Sequence, residues 1–150
     1  MGSGIDQTFG DIATQYARDV VEGRQIACKW VKLACQRHLN DLAKAEAGEW
    51  PYVFNPELVD ADSKTYRPGE RICRFAQLMP HIKGEWARNR QNIELQPWQV
   101  FILASIFGWV HRITGKRRFR VADLFVPRKN SKSTLASIIG LFMLSPDGEF

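Results

Sequence analysis

The chain is 150 residues long and carries 21 Lys+Arg against 16 Asp+Glu, a formal net charge of +5. With 45% hydrophobic and 25% charged residues it has the composition of an ordinary folded chain, which excludes the disordered and collagen-like classes. Its longest nearly apolar run, Val100 to Val110, is too short to span a bilayer, so no membrane partner is expected.

Met1 to Gly4 lacks the basic and apolar regions of a secretory signal, and residues 1–11 are expected to be a flexible leader. Cys28, Cys35 and Cys73 form no C-x-x-C pair, and an odd number argues against a disulfide framework; buried free thiols in a reducing compartment are the expectation. A short amphipathic helix is predicted over Asp11–Glu22, with Ile12, Tyr16 and Val20 at helical spacing and a break at Gly23. A longer helix is predicted from about Ile26 to Leu42. Its apolar positions Ile26, Trp30, Val31, Ala34, Cys35, Leu39 and Leu42 mark one buried face, with Lys29, Lys32 and Arg37 pointing elsewhere. Residues 55–69 are polar and turn-rich and read as a surface loop or insertion. A third helix is predicted over Glu70–Leu78, stopped by Pro80.

The second half changes character. Asn92–Leu95 alternates as a strand does, and Pro97 suits the first position of a helix over Trp98–Val110 that is apolar all round and therefore expected in the core. After a turn at Ile113–Lys116, Phe119–Val126 reads as a strand whose last four residues suit a buried sheet. A polar loop, an apolar helix over Leu135–Leu144 and a turn at Pro146–Gly148 follow.

Charge is concentrated in this half. From Arg112 to Lys132 eight basic residues face one acid, Asp123, a net +7, and the rest of the chain is slightly acidic at −2. Such a cluster is the footprint of a polyanion, either nucleic acid or nucleotide phosphates; a solvated basic turn is the plainer alternative.

A hydrophobic strand, a polar loop ending in Lys132-Ser133-Thr134, and an apolar helix is the layout of a phosphate-binding loop. That chemistry needs converging backbone N–H groups, a lysine for the β- and γ-phosphates and a hydroxyl for Mg²⁺. Lys132 and Ser133 stand in the last two roles. The strict G-x-x-x-x-G-K-S/T pattern fails at both glycines, at Val126 and Ser131, so a basic helix start with ordinary Ser/Thr capping stays open on these residues alone. His38, His81 and His111 are scattered without ligand spacing, and no metal site of their own is expected.

The string Val126-Pro127-Arg128-Lys129-Asn130-Ser131-Lys132-Ser133-Thr134-Leu135 resembles the divergent Walker A of tailed-bacteriophage terminase large subunits. Three further segments are similar to the same family, in order: Tyr16–Gly23, Leu33–Leu39, and Leu95–Ile102 with Phe107-Gly108-Trp109. The resemblance runs from about Ile12 to Glu149, with Val59–Gly69 as an apparent insertion. It implies an α/β fold: a mostly helical lead-in over 12–91, then the opening strand–P-loop–helix of an incomplete P-loop NTPase sheet over 92–150.

The same resemblance implies ATP and Mg²⁺ as cofactors. Gln99 would hydrogen-bond adenine and Trp98 would frame the pocket, unless Trp98 is a core residue at a helix start. Lys129, Asn130, Ser131, Lys132, Ser133 and Thr134 would form the phosphate site, Ser133 binding Mg²⁺. Arg128 would stabilise charge on the transferring phosphate, or else contact an anion or DNA. Implied partners are double-stranded DNA, the portal of the procapsid, the small terminase subunit, and the remainder of the large subunit or a second copy, in the host cell cytoplasm. The family hydrolyses ATP to package DNA and cuts it with a nuclease. No hydrophobic strand ending in paired acids follows the loop within these residues, so the chain is expected to be inactive alone. The alternative is a standalone, catalytically inactive module that binds DNA or a packaging partner through residues 112–132.

Overall fold

In the computed structural model, residues 7–82 and 84–144 are described. The first residues of the expected leader and the turn expected at Pro146–Gly148 lie outside them. Helix α1 spans Phe9–Val21, so the leader expected to reach residue 11 is already helical there. Its start is set by a capping box: Thr8 accepts from the Asp11 N–H at 3.1 Å, and the Asp11 carboxylate accepts from the Thr8 N–H at 3.1 Å. The remaining helices are α2 (Lys29–Glu46), α3 (Pro68–Leu78), the short α4 (Gly84–Arg88), α5 (Pro97–Gly108) and α6 (Lys132–Leu144). Pro68 and Pro97 each sit in the first turn, where no N–H is missed.

The core is helix against helix. Ala13, Ala17 and Val20 of α1, Ile72, Cys73 and Ala76 of α3, and Val100, Leu103, Ala104 and Phe107 of α5 form one buried cluster. Leu135, Ile138 and Phe142 of α6 join it, the Phe142 ring packing 5.1 Å from Phe107 and 5.3 Å from Phe75. One core therefore runs across the boundary expected at 91/92. It places the start of α6 beside the start of α5.

Small residues let α1, α3 and α5 approach around Asn55, a buried residue in the left-handed region at φ 50°. Asn55 Oδ1 accepts the Gly69 N–H at 2.8 Å, and Glu70 Oε1 accepts the Gly10 N–H at 2.9 Å. Two helix N-termini thus have orphan donors satisfied by side chains from elsewhere in the chain. A Cβ on Gly10 or Gly69 would lie under 3.0 Å from the Asn55 carboxamide, so both positions require glycine.

The second helix packs Val31, Ala34, Cys35 and Leu39 of the expected face against the core, and adds His38 and Asp41 to it. Cys35, His38 and Asp41 are its buried residues, whereas Ile26 and Trp30 are 92% and 73% exposed. Burial of the polar pair follows from long-range partners that periodicity does not register. The Trp109 indole N–H donates to His38 Nδ1 at 3.1 Å, and Arg118 pairs with Asp41 at 2.7 Å. Cys28 is also exposed, contrary to expectation; Cys35 and Cys73 are buried, and burial pushes the Cys35 thiol up to about 11 and the Cys73 thiol higher still.

Strand content among the described residues is small and antiparallel. β1 (Tyr52–Phe54) pairs with β4 (Trp109–His111), Val53 opposite Val110. β2 (Leu58–Val59) pairs with β3 (Thr65–Tyr66), so the region expected to be a loop folds as a hairpin closed by Asp60. The apolar run expected to be helical to Val110 changes to β4 at Trp109.

The strand expected over Phe119–Val126 is not formed. The segment has no ladder partner among the described residues, and Phe125 is 94% exposed. A strand needs a neighbour to take its N–H and C=O groups, and none is present. Asn92–Leu95 likewise makes only an isolated bridge from Asn92 to Pro80, with the Ile93 N–H donating to Met79 O at 2.8 Å. The architecture is thus mixed helix and small strands, and no parallel sheet is seen among the described residues.

Candidate nucleotide-binding site

Residues 127–134 turn the chain into α6. Lys129 and Ser131 both occupy the left-handed region, at φ 68° and 54°, flanking Asn130. Left-handed residues set in such a loop can turn successive N–H groups to one side, the backbone geometry from which an anion-binding nest is built. The Asn130 side chain braces the turn by donating to Pro127 O at 3.5 Å. The first intrahelical bond of α6 is Leu135 N–H to Ser131 O at 2.9 Å. The N–H groups of Lys132, Ser133 and Thr134 therefore precede the ladder, and no side chain caps them among the described residues. They add the positive end of a 13-residue helix dipole to the nest. Arg128, Lys129, Lys132 and Ser133 are all exposed at this end of α6.

A cavity of about 310 Å³ opens beside the loop. Gln99 from the first turn of α5 and Ser131 and Thr134 from the loop and α6 line it together. Gln99 is buried, and its carboxamide oxygen accepts the Gln96 N–H at 2.8 Å within a reciprocal capping box. Because the donor is a backbone N–H, the accepting atom is the oxygen, which leaves the NH₂ end as the donor Gln99 can offer. Larger grooves of about 530 and 670 Å³ lie along the β2–β3 hairpin, and neither touches residues 128–134.

Trp98 does not line the cavity. It is half-buried and packs against the helical core, the alternative position weighed for it from its place at a helix start. The aromatic wall is instead Trp86 of α4, whose ring lies 5.1 Å from that of His81. Sequence reasoning passed over Trp86 and read His81 only as lacking metal-ligand spacing. The signal was a tryptophan inside the charged run Gly84-Glu85-Trp86-Ala87-Arg88, where no apolar helix face exists for it to join.

Residues 97–150 match the family model of the terminase large subunit ATPase domain. The terminase ATPase match begins at Pro97, the first residue of α5, and takes in Gln99 and the whole Val126–Leu135 string. It covers about a third of the chain. Neither curated proteins nor solved structures return a match.

Within the terminase-matching segment the basic stretch is divided by its contacts. Arg118 is committed inward: it pairs with Asp41 and lies over the Trp50 ring at 4.4 Å and the Phe119 ring at 4.7 Å. Arg112 donates to Ala45 O at 3.0 Å, and Arg117 lies 5.1 Å over the Phe107 ring. Lys116, Arg120, Arg128, Lys129 and Lys132 are exposed, the last three at the loop.

The histidines are held by other contacts. His38 is enclosed by Phe54, Phe101 and Trp109, and burial holds its pKa down at about 4. Since Nδ1 accepts from Trp109, the neutral ring carries its proton on Nε2, 3.3 Å from Thr14 Oγ1. Among the described residues no three His, Cys, Asp or Glu side chains are grouped to hold a metal ion, and no helix is long and apolar enough to cross a membrane.

Proposed function

We propose that the chain contributes the base- and phosphate-binding half of a terminase-type ATPase that drives double-stranded DNA into procapsids. The observation that carries this reading is the shared cavity: Gln99 at the start of one helix and Ser131 and Thr134 at the start of another face the same space. Next to it lie two left-handed loop residues and three uncapped N–H groups. The terminase match over residues 97–150 takes in the α5 and α6 residues of that space, whereas His81, Trp86 and residues 91–96 of its lining lie outside the match. Lys132 carries the charge for the β- and γ-phosphates, and Ser133 offers the hydroxyl for Mg²⁺. When bound, Mg²⁺ would neutralise phosphate charge. Lys129, Asn130 and Ser131 shape the nest, and Arg128 is available to charge developing on a transferring phosphate. On this reading residues 92–150 open a P-loop ATPase domain and 12–91 are its helical lead-in. The portal, the small subunit and the remainder of the large subunit are the partners, in the host cytoplasm.

A reading in which residues 112–132 act chiefly as a DNA-binding surface is less supported, because Arg112 and Arg118 are spent on internal contacts. Thermal unfolding separates the two. Mg²⁺-ATP at a hundred times its dissociation constant should stabilise the chain by about 2.7 kcal/mol. That gain should vanish in Lys132→Ala. An ATP-induced shift that survives in Lys132→Ala, or no shift at any concentration, contradicts the proposal.

A further inference from the structure

One wall of the cavity beside the loop is unused by the phosphate chemistry. Trp86 lines the same space as Gln99 and Ser131, is 61% exposed, and has the His81 ring 5.1 Å behind it at an interplanar angle of 43°. An indole left open in a charged helix, with the His81 ring beside it, presents an exposed flat apolar face to the cavity. Leu135 and Ile138 of α6 add apolar lining to the same cavity. The polar reader beside this face is constrained. The carboxamide oxygen of Gln99 is held by the Gln96 N–H, so Gln99 has its NH₂ left to donate. Adenine and guanine both present an N7 acceptor that such an NH₂ can meet, and pyrimidines have no N7.

The geometry points to Trp86, steadied by His81, as the face on which a purine base stacks, with Gln99 supplying a single donor to the base. The site then favours a purine over a pyrimidine. This inference rests on the proposed phosphate site and extends it to the base-binding wall and the class of base.

Calorimetric titrations of the 150-residue chain with ATP, GTP, CTP and inorganic tripolyphosphate test it. Because Trp86 lies largely in solvent, its substitution should leave the melting temperature unchanged, which is checked alongside. Base–aromatic stacking is worth enough that Trp86→Ala should weaken ATP and GTP about tenfold or more, with tripolyphosphate unaffected and Trp86→Phe retaining most of the affinity. CTP should bind wild type about tenfold more weakly than ATP. If Trp86→Ala leaves ATP affinity unchanged while Lys132→Ala abolishes it, the phosphate site stands and Trp86 is not the base wall. CTP binding as tightly as ATP would overturn recognition of a purine. Binding indifferent to both substitutions would overturn the phosphate site itself.

Discussion

Ser131 stands where the phosphate-loop pattern has glycine, and its φ of 54° lies in the region that side chains with a Cβ adopt at a cost of about 1–2 kcal/mol. Ser131→Gly should relieve that cost and tighten Mg²⁺-ATP binding several-fold in a direct titration. Equal or weaker affinity would show that the hydroxyl, and not the backbone conformation, is what the loop needs. His38 makes a second single-residue prediction. Its imidazole is neutral when folded because burial lowers its pKa from 6.5 to about 4. As pH falls below 6.5 the unfolded chain takes up a proton that the folded chain refuses until about 4, so stability should decline across that window. At about 1.4 kcal/mol per pH unit this one group can withdraw up to about 3 kcal/mol. Urea midpoints between pH 7 and pH 4.5 read the effect; a flat profile in the wild type, or the same decline in His38→Gln, contradicts it.

Among the elements, the clamp between α2 and the segment after β4 decides how the basic stretch is used. Arg118 meets Asp41 at 2.7 Å in a pair whose carboxylate side chain is 4% exposed, with Lys44 at 3.5 Å. Removing one partner of such a pair leaves a buried charge uncompensated, so Arg118→Ala should destabilise the chain by about 3 kcal/mol in urea unfolding. A loss comparable to that of the exposed Arg120→Ala would refute the clamp. This contact also explains what was legible in the sequence. The helices over 68–78, 97–108 and 132–144 announce themselves through proline positions and apolar runs, which are local signals. The polar part of the inward face of α2 does not, because His38 and Asp41 are buried by Trp109 and Arg118, some 70 residues away in the chain. The Lys132-Ser133-Thr134 start of α6 could be singled out from the layout of its residues, and Gln99 only through the family resemblance. Trp86 was not, since its role depends on which cavity α4 faces. The segment over 119–126 has the composition of a buried strand, yet composition cannot supply the neighbour that a strand requires.

At the scale of the molecule, a single helical core sets the starts of α5 and α6 side by side, and the candidate site is the space between them. The extended segment before the loop exposes Val121 and Phe125, and the end of α6 exposes Met143 and Leu144. An apolar surface of this kind suits a covering chain, either the remainder of a large subunit or a second copy. The central claim is that the two helix starts act as one nucleotide site, and residue-resolved amide NMR shifts on adding Mg²⁺-ATP test it most directly. The account predicts that shifts appear together at Lys129–Thr134 and at Gln99 and Trp86, and that Lys132→Ala abolishes the response. Shifts confined to the exposed basic residues Lys116 and Arg120, with Gln99 and Ser131–Thr134 silent, would contradict it.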